Sequence, residues 1–192
     1  MVSNEQINVN KRNGRGLEAL NIDKIHSMVG FATEGITGVS ASHVEMNSGI
    51  QFFDKISTED IQQILIKSAN DLISLENPNY QYVAARLLLF SLRKKLHHRL
   101  WEHPKFIDHI KKIVDLGLYD KGILENYTEA EIDRMGMWID HERDYNFTYA
   151  GLRQVMDKYL VQDRSSGEIF ETPQFMYMMI SATLFAKYPI ES

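Results

Sequence analysis

Cysteine is absent from all 192 residues. Disulfides, thiolate metal sites and cysteine nucleophiles are therefore excluded from this chain. No stretch approaches ~20 continuous apolar residues, the length that spans a bilayer, so no membrane segment is expected. The opening MVSNEQINVNKRNG lacks the apolar core of an export leader, which fits a cytoplasmic location. The sequons at Asn126 and Asn146 are then chance matches. Positive charge is in short supply: 21 Lys+Arg face 26 Asp+Glu, for a net charge of -5 and a pI near 5.8. A general nucleic-acid binder would be basic, so no nucleic-acid partner is expected and any anion site must come from a local cluster. The phosphate-cradling pattern G-x-x-x-x-G-K-[ST] is missing, as are internal repeats and low-complexity tails.

What remains is 44% hydrophobic and 24% charged, the balance of a globular protein of one ordinary domain or two small ones. The segment INVNKRNGRGLEAL alternates loosely around Asn13-Gly14, which predicts a small β-hairpin. A helix follows, with Asn21 or Asp23 as cap and Ile22, Ile25, Met28 and Val29 on one face. A second helix is predicted over about Ala41 to Gln51. Ser57, Thr58 and Asp60 open a third, whose apolar stripe is Ile61, Ile64, Leu65, Ala69, Leu72 and Ile73. The fourth, YQYVAARLLLFSLRKKL, is apolar on most faces and should be buried. Its Arg93, Lys94 and Lys95 suit a helix C-terminus.

The second half reads as further helices. KFIDHIKKIVDLGL stops at Gly117. YTEAEIDRMGMWI carries a Thr128-to-Glu131 capping box. FTYAGLRQVMDKYL follows, then a strand-turn-strand at VQDRSSGEIFET. Thr172 and Pro173 start a last helix, PQFMYMMISATLFAKY, apolar on nearly all sides and expected to be buried.

Lys11, Arg12 and Arg15 cluster around two glycines, in front of a helix N-terminus that carries Lys24 in its first turn. Cations, close-approaching backbone N–H groups and a helix dipole together suit a phosphate. An exposed, solvated basic turn fits the same residues, and local chemistry leaves both readings open. Gly14-Arg-Gly16-Leu-Glu-Ala19 matches the dinucleotide fingerprint in form only, because no βαβ pattern surrounds it. None of the seven histidines has metal-ligand spacing, so they read as surface or core residues. DHERD, Asp140 to Asp144, reads as a solvated loop with local ion pairs rather than as paired catalytic carboxylates.

Five segments in order carry a resemblance: VNKRNGRGLEALNIDKIHSMV, GIQFFDKISTEDIQQILIKSANDLIS, NPNYQYVAARLLLFSLRKK, YDKGILENYTEAEIDRMGMWIDHERDYNFTYAGLRQVMDKYLVQ and GEIFETPQFMYMMISATLFA. Together they resemble the N-terminal part of the large subunit of class Ia ribonucleoside-diphosphate reductase, of the enterobacterial and T-even-phage type. The resemblance implies a mainly α fold: an ATP-cone over residues 1–97, with a small β-hairpin or sheet cap on a four-helix bundle. A helical, incomplete N-terminal region of the large subunit would follow over 98–192. It further implies ATP or dATP as allosteric effector, with Mg²⁺ accompanying it. Lys11 and Arg12 would meet the phosphates. Glu18, Ala19, Leu20, Asn21, Ile22, Asp23 and Lys24 would line the base and sugar, and Thr58 and Lys94 would complete the pocket.

The implied partners are the C-terminal remainder of the large subunit, a small di-iron radical subunit, a large-subunit oligomer, and thioredoxin or glutaredoxin with the complete enzyme. The pathway implied is deoxyribonucleotide synthesis for DNA replication. In that family the chemistry runs through a cysteine thiyl in an α/β barrel C-terminal to the matched segment. A chain without cysteine is expected to be inactive alone: a fragment, a split-gene product or a prematurely ended copy. Two departures stand out. The turn KRNGRGLEAL is one residue longer than usual, and Gln62 and Ser91 stand where some bacterial members carry histidines that bear on telling dATP from ATP. They leave room for a second reading, an interaction module that contacts reductase subunits without binding nucleotide.

Overall fold

Three helices start where a short polar side chain can take over an orphaned backbone N–H. Asn21 Oδ1 accepts from Lys24 N at 3.1 Å, and Ser57 Oγ accepts from Asp60 N at 2.9 Å. Thr128 Oγ1 accepts from Glu131 N at 3.3 Å, while Glu131 Oε2 accepts from Thr128 N at 2.8 Å, completing the expected capping box. Thr128→Ala is expected to cost about 1 kcal/mol, readable as a lower urea midpoint at unchanged slope. A loss under ~0.3 kcal/mol would mean that solvent caps this end equally well.

The computed structural model describes residues 7–11, 16–49 and 52–188. Its elements are β1 (Asn8–Asn10), β2 (Leu17–Ala19), α1 (Ile22–Thr33), α2 (Ala41–Gly49), β3 (Ile56–Ser57), α3 (Thr58–Asp71) and α4 (Tyr80–His97). Then come α5 (Phe106–Asp115), α6 (Gly122–Asn126), α7 (Glu129–Met137), a 3-10 helix (His141–Asn146), α8 (Tyr149–Lys158) and α9 (Pro173–Leu184). The chain is mainly α with a small sheet, as the sequence predicts. Two compact units form: Met1–Ser91 with Phe147–Leu152, and Leu92–Asn146 with Arg153–Ser192.

In the first unit the sheet order is β2-β1-β3. β1 pairs antiparallel with β2, Val9 opposite Glu18, and parallel with β3, Val9 opposite Ile56. The hairpin was legible in the sequence; β3 is an addition. Asn8 N donates to Asp54 Oδ1 at 2.9 Å and Asn10 Nδ2 to the Lys55 carbonyl at 2.8 Å, so the approach to β3 is stitched to β1 on both sides. Beneath the sheet, α1 packs on α2 and α2 on α3. The core includes Val9, Ile25, Val29, Val44, Ile56, Leu65, Val83 and Leu87, all buried. The α3 stripe holds for Ile61, Leu65 and Ala69, while Ile73 lies past the helix end and is exposed. Residues 50 and 51, the predicted end of the second helix, lie outside the described residues.

The second unit centres on Phe106, Ile110, Ile113, Ile132, Met135 and Phe175. α5 and α7 pack together, and a Cβ at Gly136 would stand 3.1 Å from Phe106 Cβ, so this glycine lets the two helices close. Gly117 stops α5 at φ 71° as expected. Gln162 and Ile169 form a bridge across a turn with Gly167 at φ 72°, the predicted strand-turn-strand reduced to its minimum. Thr172 stands at the start of α9 in extended backbone, but its side chain does not cap; the expected role falls to Pro173 alone.

Two further expectations are corrected here. DHERD is no solvated loop: it runs into the 3-10 helix, and Asp144 is buried beside buried Arg93 at 3.6 Å. Arg93 also donates to Tyr145 Oη at 3.0 Å and to the His141 carbonyl at 2.6 Å. The last helix buries Phe175, Met176 and Ala182 but leaves Tyr177, Ile180 and Leu184 exposed within this chain, as are Phe185 and Tyr188 just after it.

Four histidines line the same core. His141 stacks on His103 at 3.6 Å, His103 meets His97 edge-on, and Phe175 contacts His103, His109 and His141. Desolvation comes first; next come Lys112 for His97, Arg93 for His141, and a neighbouring imidazole for His103 and His109, lowering His97 and His141 to about 4 and His103 and His109 to about 3. These are neutral, core-like imidazoles. Among the described residues no group of three or more acidic or imidazole side chains could hold a metal ion.

Candidate functional site

The basic turn leads out of β1 and back into β2. Arg12 and the glycine of Asn13-Gly14 lie outside the described residues. Lys11 N donates to the Gly16 carbonyl at 3.2 Å, so the ends of the turn are closed by the backbone. Gly16 sits at φ 92° and leads into an antiparallel strand rather than a helix. This geometry removes the dinucleotide fingerprint, which needs its glycines at a helix N-terminus.

Glu18, in the middle of β2, is the meeting point. Its Oε2 pairs with Lys11 Nζ and its Oε1 with Lys24 Nζ at 3.3 Å. Hydrogen bonds from Lys11 and then Lys24 hold its carboxyl below the usual carboxylate range. Two residues on, the strand ends, Leu20 N donates to the Ile7 carbonyl, and Asn21 caps α1. The chain thus carries Lys11, Glu18, Asn21 and Lys24 onto one short surface strip. Ala19, Asn21, Ile22 and Asp23 are exposed along it, Ile22 at 70%; Leu20 is half-buried.

Thr58 is the first residue of α3 and follows Ser57, the parallel partner of Asn10. The sheet register therefore sets Thr58 beside the β1 end that leads to Lys11. The sequence did not foreshadow this link, because a two-residue strand has no readable alternation. Lys94 lies in the last turn of α4, among residues of the second unit. Gln62 and Ser91 are both buried, and Gln62 Nε2 donates to the Leu87 carbonyl at 3.0 Å, a structural bond between α3 and α4.

Comparison with known proteins gives this strip a context. Residues 7–95 match the ATP cone domain family, and residues 145–189 match the all-alpha domain of ribonucleotide reductase. The chain is 49% identical, over 98% of its length, to ribonucleoside-diphosphate reductase 1 subunit alpha of Escherichia coli (strain K12). It is similar to the first quarter of reductase alpha subunits. The subunit alpha of Haemophilus influenzae is 48% identical over 98% of the chain, and that of Enterobacteria phage T4 is 42% identical over 96%. The chain spans about a quarter of these relatives: 25%, 25% and 24% of their lengths.

The ATP-cone match runs from just before β1 to Lys95, so Lys11, Glu18 to Lys24, Thr58 and Lys94 all fall within it. The all-alpha match begins at Tyr145 and takes in α8 and α9. No helix among the described residues is long and apolar enough to cross a membrane.

Proposed function

We propose that this chain is the effector-binding N-terminal part of a reductase large subunit, its cone taking ATP or dATP. The observation that carries this reading is the convergence of Lys11 and Lys24 on one carboxylate, at the capped N-terminus of α1, inside the ATP-cone match. Lys11 and Arg12 hold the phosphates, helped by the dipole of α1. Glu18, Ala19, Leu20, Asn21, Ile22, Asp23 and Lys24 line the base and sugar, with exposed Ile22 as an apolar surface for the adenine. Thr58 and Lys94 complete the pocket, and Mg²⁺ accompanies the triphosphate. The cone is residues 1–97 and the reductase-joined segment 98–192. As part of the complete enzyme, the chain serves reduction of ribonucleoside diphosphates in the cytoplasm, with the small radical subunit, a large-subunit oligomer and thioredoxin or glutaredoxin as partners. The exposed face of α9 is covered by the remainder of that subunit.

Isothermal titration of the folded chain with ATP and dATP tests this. Saturable heat at submillimolar nucleotide, lost by at least tenfold in affinity in Lys11→Glu, is the expected result. No heat at millimolar nucleotide would sink it. A second reading, an interaction module without nucleotide, draws on the fact that Glu18 already pairs with both Lys11 and Lys24. Under it, Lys11→Glu leaves nucleotide binding at its background and instead weakens assembly with reductase subunits.

A further inference from the structure

We propose that Glu18 is an internal competitor for the phosphate site: a latch that holds Lys11 and Lys24 until a polyphosphate displaces it. The inference rests on the nucleotide-binding reading above and adds a control element to it. Its basis is that one carboxylate engages both lysines with separate oxygens, Oε2 toward Lys11 and Oε1 toward Lys24. The three residues come from three different elements: Lys11 follows β1, Glu18 is central in β2, and Lys24 is in the first turn of α1. The register sets Glu18 opposite Val9, two residues before Lys11, so the hairpin backbone brings the two side chains within reach of each other.

Both lysines are thereby preorganised, and the single carboxylate offsets one of their two positive charges. Glu18 is the only carboxylate among the described residues that pairs with either of them. An arriving triphosphate must replace two charge-assisted hydrogen bonds to one carboxylate by several to its own oxygens. The exchange favours a ligand with more than one phosphate, since one carboxylate offers two oxygens and a single negative charge. All three side chains are partly open to solvent, Glu18 at 35%, so the latch is weak enough to yield and is screened by salt. Freed of the lysines, Glu18 is left at the edge of the strip that faces ribose hydroxyls and the adenine amino group, where a carboxylate accepts hydrogen bonds.

The test uses the whole chain and inorganic tripolyphosphate, which has the phosphates but no base or sugar. Glu18→Gln keeps the size and removes the charge. Titration calorimetry at low salt is expected to show roughly three- to tenfold tighter tripolyphosphate binding than wild type, the gain that follows from removing two exposed ion pairs. That gain should shrink toward unity as salt rises to ~0.5 M, and should vanish in Glu18→Gln combined with Lys24→Met. Unchanged or weaker tripolyphosphate binding by Glu18→Gln overturns the latch. If wild type still binds ATP in that case, the nucleotide site stands and only the latch falls. If Glu18→Gln gains tripolyphosphate while neither form binds ATP, the latch stands on a plain anion site and the nucleotide reading falls. Binding of neither ligand by either form rejects both. Matching circular dichroism of the variants and wild type checks that the fold is kept.

Discussion

Acidifying the full chain from pH 7 to 4.5 is expected to strip amide protection from the second unit while the first keeps most of its own. The cause is the imidazole core. His97, His103, His109 and His141 have folded-state values lowered to about 4, 3, 3 and 4, against 6.5 for free histidine. A depressed histidine favours the neutral form in the fold, so its stabilisation is complete above pH 6.5. It is lost as pH falls below 6.5, because the unfolded chain takes up protons that the fold refuses. Fully buried His109 contributes about 1.4 kcal/mol per pH unit below 6.5. The three half-buried imidazoles, screened by solvent, contribute roughly half as much each.

Asp144 works the other way. Burial raises it to about 6, with Gln174 and Arg93 pulling it back, so its protonation between pH 6 and 4 favours the fold. Glu171, raised by burial against the Tyr119 hydroxyl and Val161 N–H, acts in the same direction. Lys112 and Asp140 also face the cluster, the former opposing and the latter favouring imidazolium. The balance is a loss of ~2 kcal/mol per pH unit, or ~4 by pH 4.5, comparable with the whole stability of a small domain. The first unit has no buried imidazole among its described residues; His26 and His43 are at the surface. Hydrogen exchange followed by peptide mass, corrected for intrinsic pH dependence, reads both units in one sample. Equal loss in the two units, or unchanged protection at pH 4.5, would reject the imidazole account. His103→Phe should shift the second unit's transition to lower pH.

Whether a feature was legible in the sequence depended on how far apart its cause lay. Caps are local: Asn21, Ser57 and Thr128 each bond a group three residues away, and each was readable. The α3 and α4 cores follow from apolar spacing within one helix. What failed to show was held by distant partners. β3 is two residues long and exists because β1 lies beside it, 46 positions earlier in the case of the Asn8–Asp54 bond. Asp144 looked solvated because charge alternates around it, yet Arg93 draws it inside from 51 residues away. The α9 surface illustrates the converse. Its apolar residues run all round the helix, but Tyr177, Ile180 and Leu184 face outward here. The candidate phosphate strip was legible as residue types; that one carboxylate would bind both lysines was not, since it depends on hairpin register.

Removing Arg93 should be the most damaging single change in the second unit. Arg93 is 2% exposed and Asp144 1%. Arg93→Ala leaves a buried carboxylate facing a cavity, and strips hydrogen bonds from Tyr145 Oη and the His141 carbonyl. Breaking a buried pair in this way costs about 3–5 kcal/mol. The pair itself is imperfect: Arg93 Nε and Asp144 Oδ2 find no hydrogen bond among the described residues, and their closest charged atoms are 3.6 Å apart. Its Coulomb gain therefore offsets the desolvation of two ions only in part. Two consequences separate this account from simple loss of packing. Arg93→Met/Asp144→Leu, apolar at both positions, should recover more than half of what Arg93→Ala loses, because no charge is left buried. Arg93→Ala should also become less damaging as pH falls from 7 toward 5, since Asp144 then protonates more readily without its cation. Urea unfolding at both pH values measures all three variants. A loss below 1 kcal/mol for Arg93→Ala, or a double variant no better than the single, would show that Arg93 stabilises the unit by volume and not by charge.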